Sequence, residues 1–220
     1  MIKELKALDI EIEKLSLSEY ETLPIYDGIV DLESYQKTNT KVLWILKEVN
    51  SAGDEGGWDM REAIKKFKVK NGLKAVWAKT FSSIVYVSEG IINNKNWDDI
   101  PDIPDNPDVV DILNSIAYIN MKKIAGKPRA ISNELSHAYQ TYKELLFKQI
   151  RLIDADIIIF GGTYPYFKND IPPHNLKKSG TCNVFKVDDK IFVDAYHPQY
   201  FGVKRKDYFT DILSGIKSEF

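Results

Sequence analysis

A single cysteine, Cys182, is all the thiol chemistry this chain of 220 residues possesses. Without a second thiol no disulfide can form within the chain, and a zinc or iron–sulfur centre held by cysteines is excluded. Histidine is almost as scarce: His137 falls in a helical pattern, His174 follows two prolines and His197 precedes one. No two of them stand at a metal-ligand spacing, so no metal site is expected. An excess of either charge is missing too. Thirty Lys and Arg face 32 Asp and Glu, for a net charge of −2, so any nucleic acid must be met by a local basic patch. No apolar run is long enough to cross a bilayer. The opening Met1-Ile2-Lys3-Glu4-Leu5-Lys6 lacks an apolar signal region, and a cytoplasmic protein without a membrane partner is the simplest expectation. Repeats, low-complexity tracts and linker-like stretches are also absent. With 44% hydrophobic residues, the chain can bury the core of one domain over residues 1–220, residues 1–40 being an N-terminal extension whose role the sequence leaves open.

What the chain does contain is an alternation of apolar patterns. Val42–Leu46, Ile116–Ile119 and Asp156–Phe160 are short, nearly continuous apolar runs, as expected of strands buried on both faces. Val184–Val187 and Ile191–Ala195 flank Asp188-Asp189, which reads as a hairpin. Between them lie helical patterns. Asp59 followed by Glu62 marks a helix start, and Leu73, Val76, Trp77, Ile84 and Val85 suit a second helix. Residues 133–153 suit a long helix and Tyr208–Ile216 a C-terminal one. The prolines and aspartates of 101–108 read as loop. Strands alternating with helices predict an α/β fold in three layers, α/β/α, around a central, mostly parallel four-stranded sheet. In such a sheet ligands bind beyond the carboxyl ends of the strands. Four polar segments fall there: Lys47–Asn50, Asn120, Gly161–Gly162 and His197.

Each segment admits a chemical and a plain reading. Glu48 or Asn50 could hold a water for attack, with Gly53, Gly56 and Gly57 letting backbone approach a ligand; a solvated loop would carry the same residues. Asn120 offers an amide donor and acceptor on one plane, matching a pyrimidine edge, and a turn asparagine is the alternative. The basic residues Lys122, Lys123, Lys127 and Arg129 that follow would suit phosphates, or simply a solvated surface. His197, at a strand end and stiffened by Pro198, could hydrogen-bond a leaving group as negative charge develops. Tyr200 and Phe201 beside Lys204 and Arg205 resemble the wedge-and-cation arrangement that opens a duplex, or else anchor the last helix in the core.

As a spaced series these segments resemble the uracil-DNA glycosylase superfamily. Lys47-Glu48-Val49-Asn50-Ser51 stands where that family has its first strand-end motif, of the G-E-A-P-G or G-I-N-P-G kind. Ile119-Asn120-Met121-Lys122-Lys123 looks like its N-x-x-K segment, Ile157–Gly161 like its third strand, and His197-Pro198-Gln199 like its H-P-S motif. The resemblance covers residues 42 to about 215. It implies a cofactor-free, monomeric hydrolase of DNA repair, acting on single- or double-stranded DNA by flipping a base into a pocket. Asn120 would read the base, Trp58 would stack on it, His197 would stabilise the departing anion, and Glu48 or Asn50 would position water. Lys123, Lys127, Arg129, Tyr200, Phe201, Lys204 and Arg205 would contact the DNA. The chain departs from the pattern in the first motif, where Lys47 and Asn50 replace the glycine and proline, and at Gln199, which replaces serine. A nucleic-acid or nucleotide binder that does not cleave, and an enzyme of free nucleosides or nucleotides, are the other readings.

Overall fold

The apolar runs become the middle of a sheet, and the helical patterns cover both of its faces. The computed structural model describes residues 1–219 except 52, 54 and 128. In chain order the elements are α1 (Ile2–Tyr20), β1 (Gly28–Ile29), α2 (Leu32–Lys37), β2 (Val42–Leu46), α3 (Met60–Ile64), β3 (Lys68–Val69), β4 (Gly72–Leu73) and α4 (Ala75–Ile92). Two 3-10 segments, Trp97–Asp99 and Pro107–Ser115, lead to β5 (Ala117–Asn120). Then come α5 (Ser132–Ile153), β6 (Ile157–Gly161), α6 (Tyr164–Phe167), β7 (Lys177–Ser179), β8 (Cys182–Val187), β9 (Lys190–Ala195) and α7 (Arg205–Lys217).

The central sheet has seven strands in the order β1-β5-β2-β6-β9-β8-β7, which corrects the four expected. Its centre, β5-β2-β6-β9, is parallel throughout. The additional strands are antiparallel: β1 on one edge, and β8 with β7 on the other. β1 and β7 are too short to carry a periodicity that sequence alone could reveal. Leu73, expected in a helix, instead pairs with Lys68 in the separate β3–β4 hairpin, and helix begins two residues later.

Strand geometry sends alternate residues to opposite faces, and the two cores follow that rule. Trp44, Leu46, Tyr118, Ile159 and Val193 pack with residues of α4 and α7 on one face. Leu43, Ile45, Ile119, Ile158 and Phe160 pack with α1 and α5 on the other. The hydroxyl of Tyr142 on α5 lies 2.8 Å from Ser16 Oγ of α1, so the N-terminal helix is part of the second face. No helix among the described residues is long and apolar enough to cross a membrane.

Candidate functional site at the carboxyl edge

The four parallel strands end on one edge, and pairing continues a little past them. Met121 N donates to Leu46 O at 2.8 Å and Lys122 N to Lys47 O at 2.9 Å. Gly162 N donates to Ala195 O at 2.8 Å. These bonds fix the starts of the loops that carry Lys47, Glu48, Lys122, Gly162 and His197.

His197 is the best-defined group on this edge. Gln199 N donates to its Nδ1 at 3.2 Å, so a neutral ring carries its proton on Nε2. Burial, reinforced by the charge of Lys47, lowers the imidazole pKa to about 4, so the ring is neutral near pH 7. The loop is clamped to α4: Thr80 Oγ1 donates to Gln199 Oε1 at 3.3 Å, and Ser83 Oγ to Pro198 O at 3.1 Å. Gln199 thus ties the histidine loop to a helix. Gly162 has φ +74°, a conformation that favours glycine. A β-carbon there would meet His197 Cβ and Lys47 Cε, each at 3.5 Å. Lys47, Gly162 and His197 therefore surround one small space.

Asn120 lies on the far side of β2 and β6 from β9, three strand spacings or about 14 Å away. It is only 1% exposed. Tyr118 Oη donates to its Oδ1 at 3.3 Å, while its Nδ2 has no hydrogen-bond partner. A buried NH2 without an acceptor is costly, and it marks a place where an acceptor would be welcome. Its backbone N donates to Asp27 Oδ2 at 2.7 Å.

Asp27 organises a further polar cluster that the sequence did not reveal. Its Oδ1 accepts from Lys123 Nζ at 2.7 Å, and Lys123 also donates to Gln149 Oε1 at 2.7 Å. Lys123 is 1% exposed and its partner carboxylate 0%. Burial lowers the Lys123 pKa, and Asp27 opposes that shift. The expectation that Lys123 touches DNA is therefore corrected: its ammonium is consumed inside the protein, at the carboxyl end of the Asn120 strand.

The first loop is similarly committed. Glu48 Oε2 lies 2.7 Å from Lys122 Nζ, with the two side chains 5% and 7% exposed. The contact is ionic but poorly angled, leaving Oε2 without a well-formed hydrogen bond. A β-carbon on Gly126 would sit 2.3 Å from the Glu48 carboxyl carbon, so a glycine is needed where Glu48 packs. Asn50 is exposed, and its backbone bridges to Gly126 in parallel register. The structure separates these two candidates for holding water: Glu48 is buried beside a lysine, Asn50 faces solvent.

Trp58 is half-buried and packs against the α4-side core; its carbonyl accepts from Tyr26 N at 2.9 Å. Phe201 is 97% exposed and Tyr200 is partly exposed, so neither anchors α7 in the core. Lys127, Arg129, Lys204 and Arg205 are exposed; Lys127 pairs with Glu134 at 2.7 Å and Arg205 lies over the Tyr86 ring. Two cavities, of about 530 and 500 Å³, lie elsewhere, beside the start of α1 and beside the amino end of β5.

Two residues outside the sequence-derived candidates also hold this edge together, Asp27 and Thr163. Thr163 is fully buried and donates to Ile45 O at 2.8 Å, joining the β6 loop to β2. Its position just after Gly161-Gly162 was the available hint. Compared with known proteins, the chain matches no family model, and no curated protein is significantly similar to it.

Proposed function

We propose that this edge binds a base flipped out of DNA and hydrolyses its N-glycosidic bond, with uracil or a related damaged base as the leaving group. The observation that carries this reading is His197, a neutral imidazole at a parallel-sheet edge whose Nδ1 is already occupied by Gln199 N. Its Nε2–H is left to donate to a carbonyl oxygen of the base. As the bond between C1′ and the base breaks, the electron pair passes to the base and this hydrogen bond strengthens. Water supplies the oxygen that bonds to C1′, and its released proton balances the charge of the departed base. Asn120 Nδ2, buried without an acceptor, suits a second carbonyl on the base edge. Since Asn120 is 1% exposed, a base reaches it only after rim side chains move. Trp58 is the candidate to stack on the base, Tyr200 and Phe201 the candidates to fill the gap it leaves, and Lys127, Arg129, Lys204 and Arg205 the candidates for phosphate contacts.

A second reading, base binding without cleavage, draws on the first loop. Lys122 occupies Glu48 Oε2 at 2.7 Å, which competes with any water held there. The test is release of abasic product from single- and double-stranded oligonucleotides carrying uracil, hypoxanthine or xanthine. Cleavage by the wild type, reduced about 10²–10³-fold in His197→Ala and also lost in Asn120→Ala, supports hydrolysis. Binding of such oligonucleotides with no abasic product selects the non-cleaving reading, and neither binding nor product rejects both.

A further inference from the structure

The chain is nearly neutral overall, yet its longest acid-free stretch is rich in lysine. Residues 63–88 contain Lys65, Lys66, Lys68, Lys70, Lys74 and Lys79 and no Asp or Glu. Lys65 and Lys66 follow α3, Lys68 and Lys70 lie on the β3–β4 hairpin, and Lys74 and Lys79 at the start of α4. Lys65 and Lys68 are used internally, pairing with Glu62 at 2.9 Å and with Asp108 at 2.7 Å. Lys66, Lys70, Lys74 and Lys79 are exposed and have no ion pair among the described residues. The hairpin packs against the 3-10 segment Pro107–Ser115, but its Asp108 and Asp111 pair with Lys68, which leaves these four exposed cations free to meet an anionic ligand.

This field adjoins the His197 loop. Val76, Lys79, Thr80 and Ser83 are spaced i, i+3, i+4, i+7, one stripe of α4. Thr80 and Ser83 bond to Gln199 and Pro198. Val76, 80% exposed, and Lys79 continue the same stripe away from the loop toward Lys74. On the loop itself, Tyr196 and Tyr200 stack with ring centres 4.6 Å apart, and Phe201 stands 5.7 Å beyond Tyr200, 97% exposed. The stretch between Asp194 and Asp207 is likewise free of acid and carries Lys204, Arg205 and Lys206.

We infer that the strip from Lys70 and Lys74 along α4 to Phe201 is a binding track for single-stranded nucleic acid. Lysines on flexible stems suit successive phosphates, and protruding aromatic rings suit unstacked bases, which a duplex keeps inside its stack. The choice of polymer rests on the base-excision reading above; the track itself stands on the charge pattern and the exposed rings.

The experiment is fluorescence anisotropy with labelled oligothymidylate of about 16 nucleotides, its duplex with the complementary strand, and phosphatidylserine vesicles, each across a range of salt. None of these probes contains a base that the proposed site would release, so binding is scored apart from cleavage. Single strand should bind more tightly than duplex. Lys70→Glu/Lys74→Glu/Lys79→Glu should flatten the salt dependence of log K by about 2, at roughly 0.7 per lost phosphate contact on a single strand. Phe201→Ala should weaken single-strand binding about tenfold with the salt slope unchanged. Equal affinity for duplex, an unaltered slope in the triple variant, or binding to vesicles alone would overturn the inference. Track binding without base release would sink the excision reading while leaving this one intact. Excision that persists with an unaltered slope in the triple variant would do the reverse.

Discussion

At the scale of single residues, polar groups on this edge behave differently according to what their neighbours leave free. His197 has a pKa of about 4 in the folded chain, lowered first by burial and then by Lys47, against about 6.5 when unfolded. Between those values the unfolded state binds the extra proton, so stability is fully present above pH 6.5 and is lost as pH falls toward 4. The contribution is up to about 3 kcal/mol, from roughly 1.4 kcal/mol per pH unit. Urea denaturation at pH 7 and pH 4.5 should show a steeper fall for the wild type than for His197→Gln, and parallel curves would contradict the assigned burial. Lys123 presents the opposite case. Lys123→Met would strand the buried Asp27 carboxylate, which is 0% exposed, and should cost about 3–5 kcal/mol. Adding Asp27→Asn should restore part of that loss. A double variant no more stable than the single one would mean that Asp27 is not held by Lys123.

At the scale of elements, two glycines report how closely parts approach. A β-carbon at Gly90 on α4 would meet the Phe209 ring of α7 at 2.5 Å. Alanine raises intrinsic helix stability by about 1 kcal/mol over glycine, whereas overpacking a buried contact costs about 1–3 kcal/mol. Phe209 is buried in the core and cannot swing aside, so Gly90→Ala should lower the thermal midpoint despite its better propensity, and a raised midpoint would show that α4 and α7 are loosely apposed. Gly126→Ala should also destabilise, because the new methyl would displace Glu48. The loss should largely vanish in the Glu48→Ala background, a coupling that a double-mutant cycle measures.

The same scale explains what could be read in advance. β2 and β6 were legible because burial on both faces leaves an unbroken apolar run, Val42–Leu46 in one and Ile157–Phe160 in the other. The α5 and α7 patterns were legible because each buries one stripe. The β3–β4 hairpin was hidden, since its lysines face solvent and its two-residue strands bury little. On the candidate site, the four strand ends were legible as positions, because a parallel sheet leaves its polar residues there. Their partners were not. Lys123 read as surface because its counter-charge, Asp27, lies 96 positions away in the chain, and no local pattern signals a pair formed by tertiary packing. Gln199 read as a departure from a familiar motif, and only its bond to Thr80 explains what a longer side chain accomplishes there.

At the scale of the whole molecule, residues 1–40 complete the protein rather than decorate it. α1 buries Leu8 and Ile12 against the α5 face, and Tyr20 stacks on Tyr142 with ring centres 5.8 Å apart. Beyond α1, the segment that leads to β1 supplies Asp27, which accepts from Asn120 N, Lys123 Nζ and Gln149 Nε2. These two contributions should separate on truncation. A chain starting at residue 21 loses apolar burial at about 25 cal/mol per Å², but it keeps Asp27 and the charge balance of the interior. It should melt at a lower temperature with cooperativity preserved. A chain starting at residue 41 also loses β1 and Asp27, so Asn120 N, Lys123 Nζ and Gln149 Nε2 all lose a shared acceptor, a loss worth several kcal/mol. Folded domains have only about 5–15 kcal/mol in reserve, so this second chain should show no cooperative transition by circular dichroism and rapid digestion under limited proteolysis. Lys123→Met placed in the shorter chain should recover some protection, since the charge rather than the missing strand would then be relieved. Equal behaviour of the two truncations would mean that the N-terminal segment acts only as a cover, and that Asp27 contributes nothing to the strand carrying Asn120.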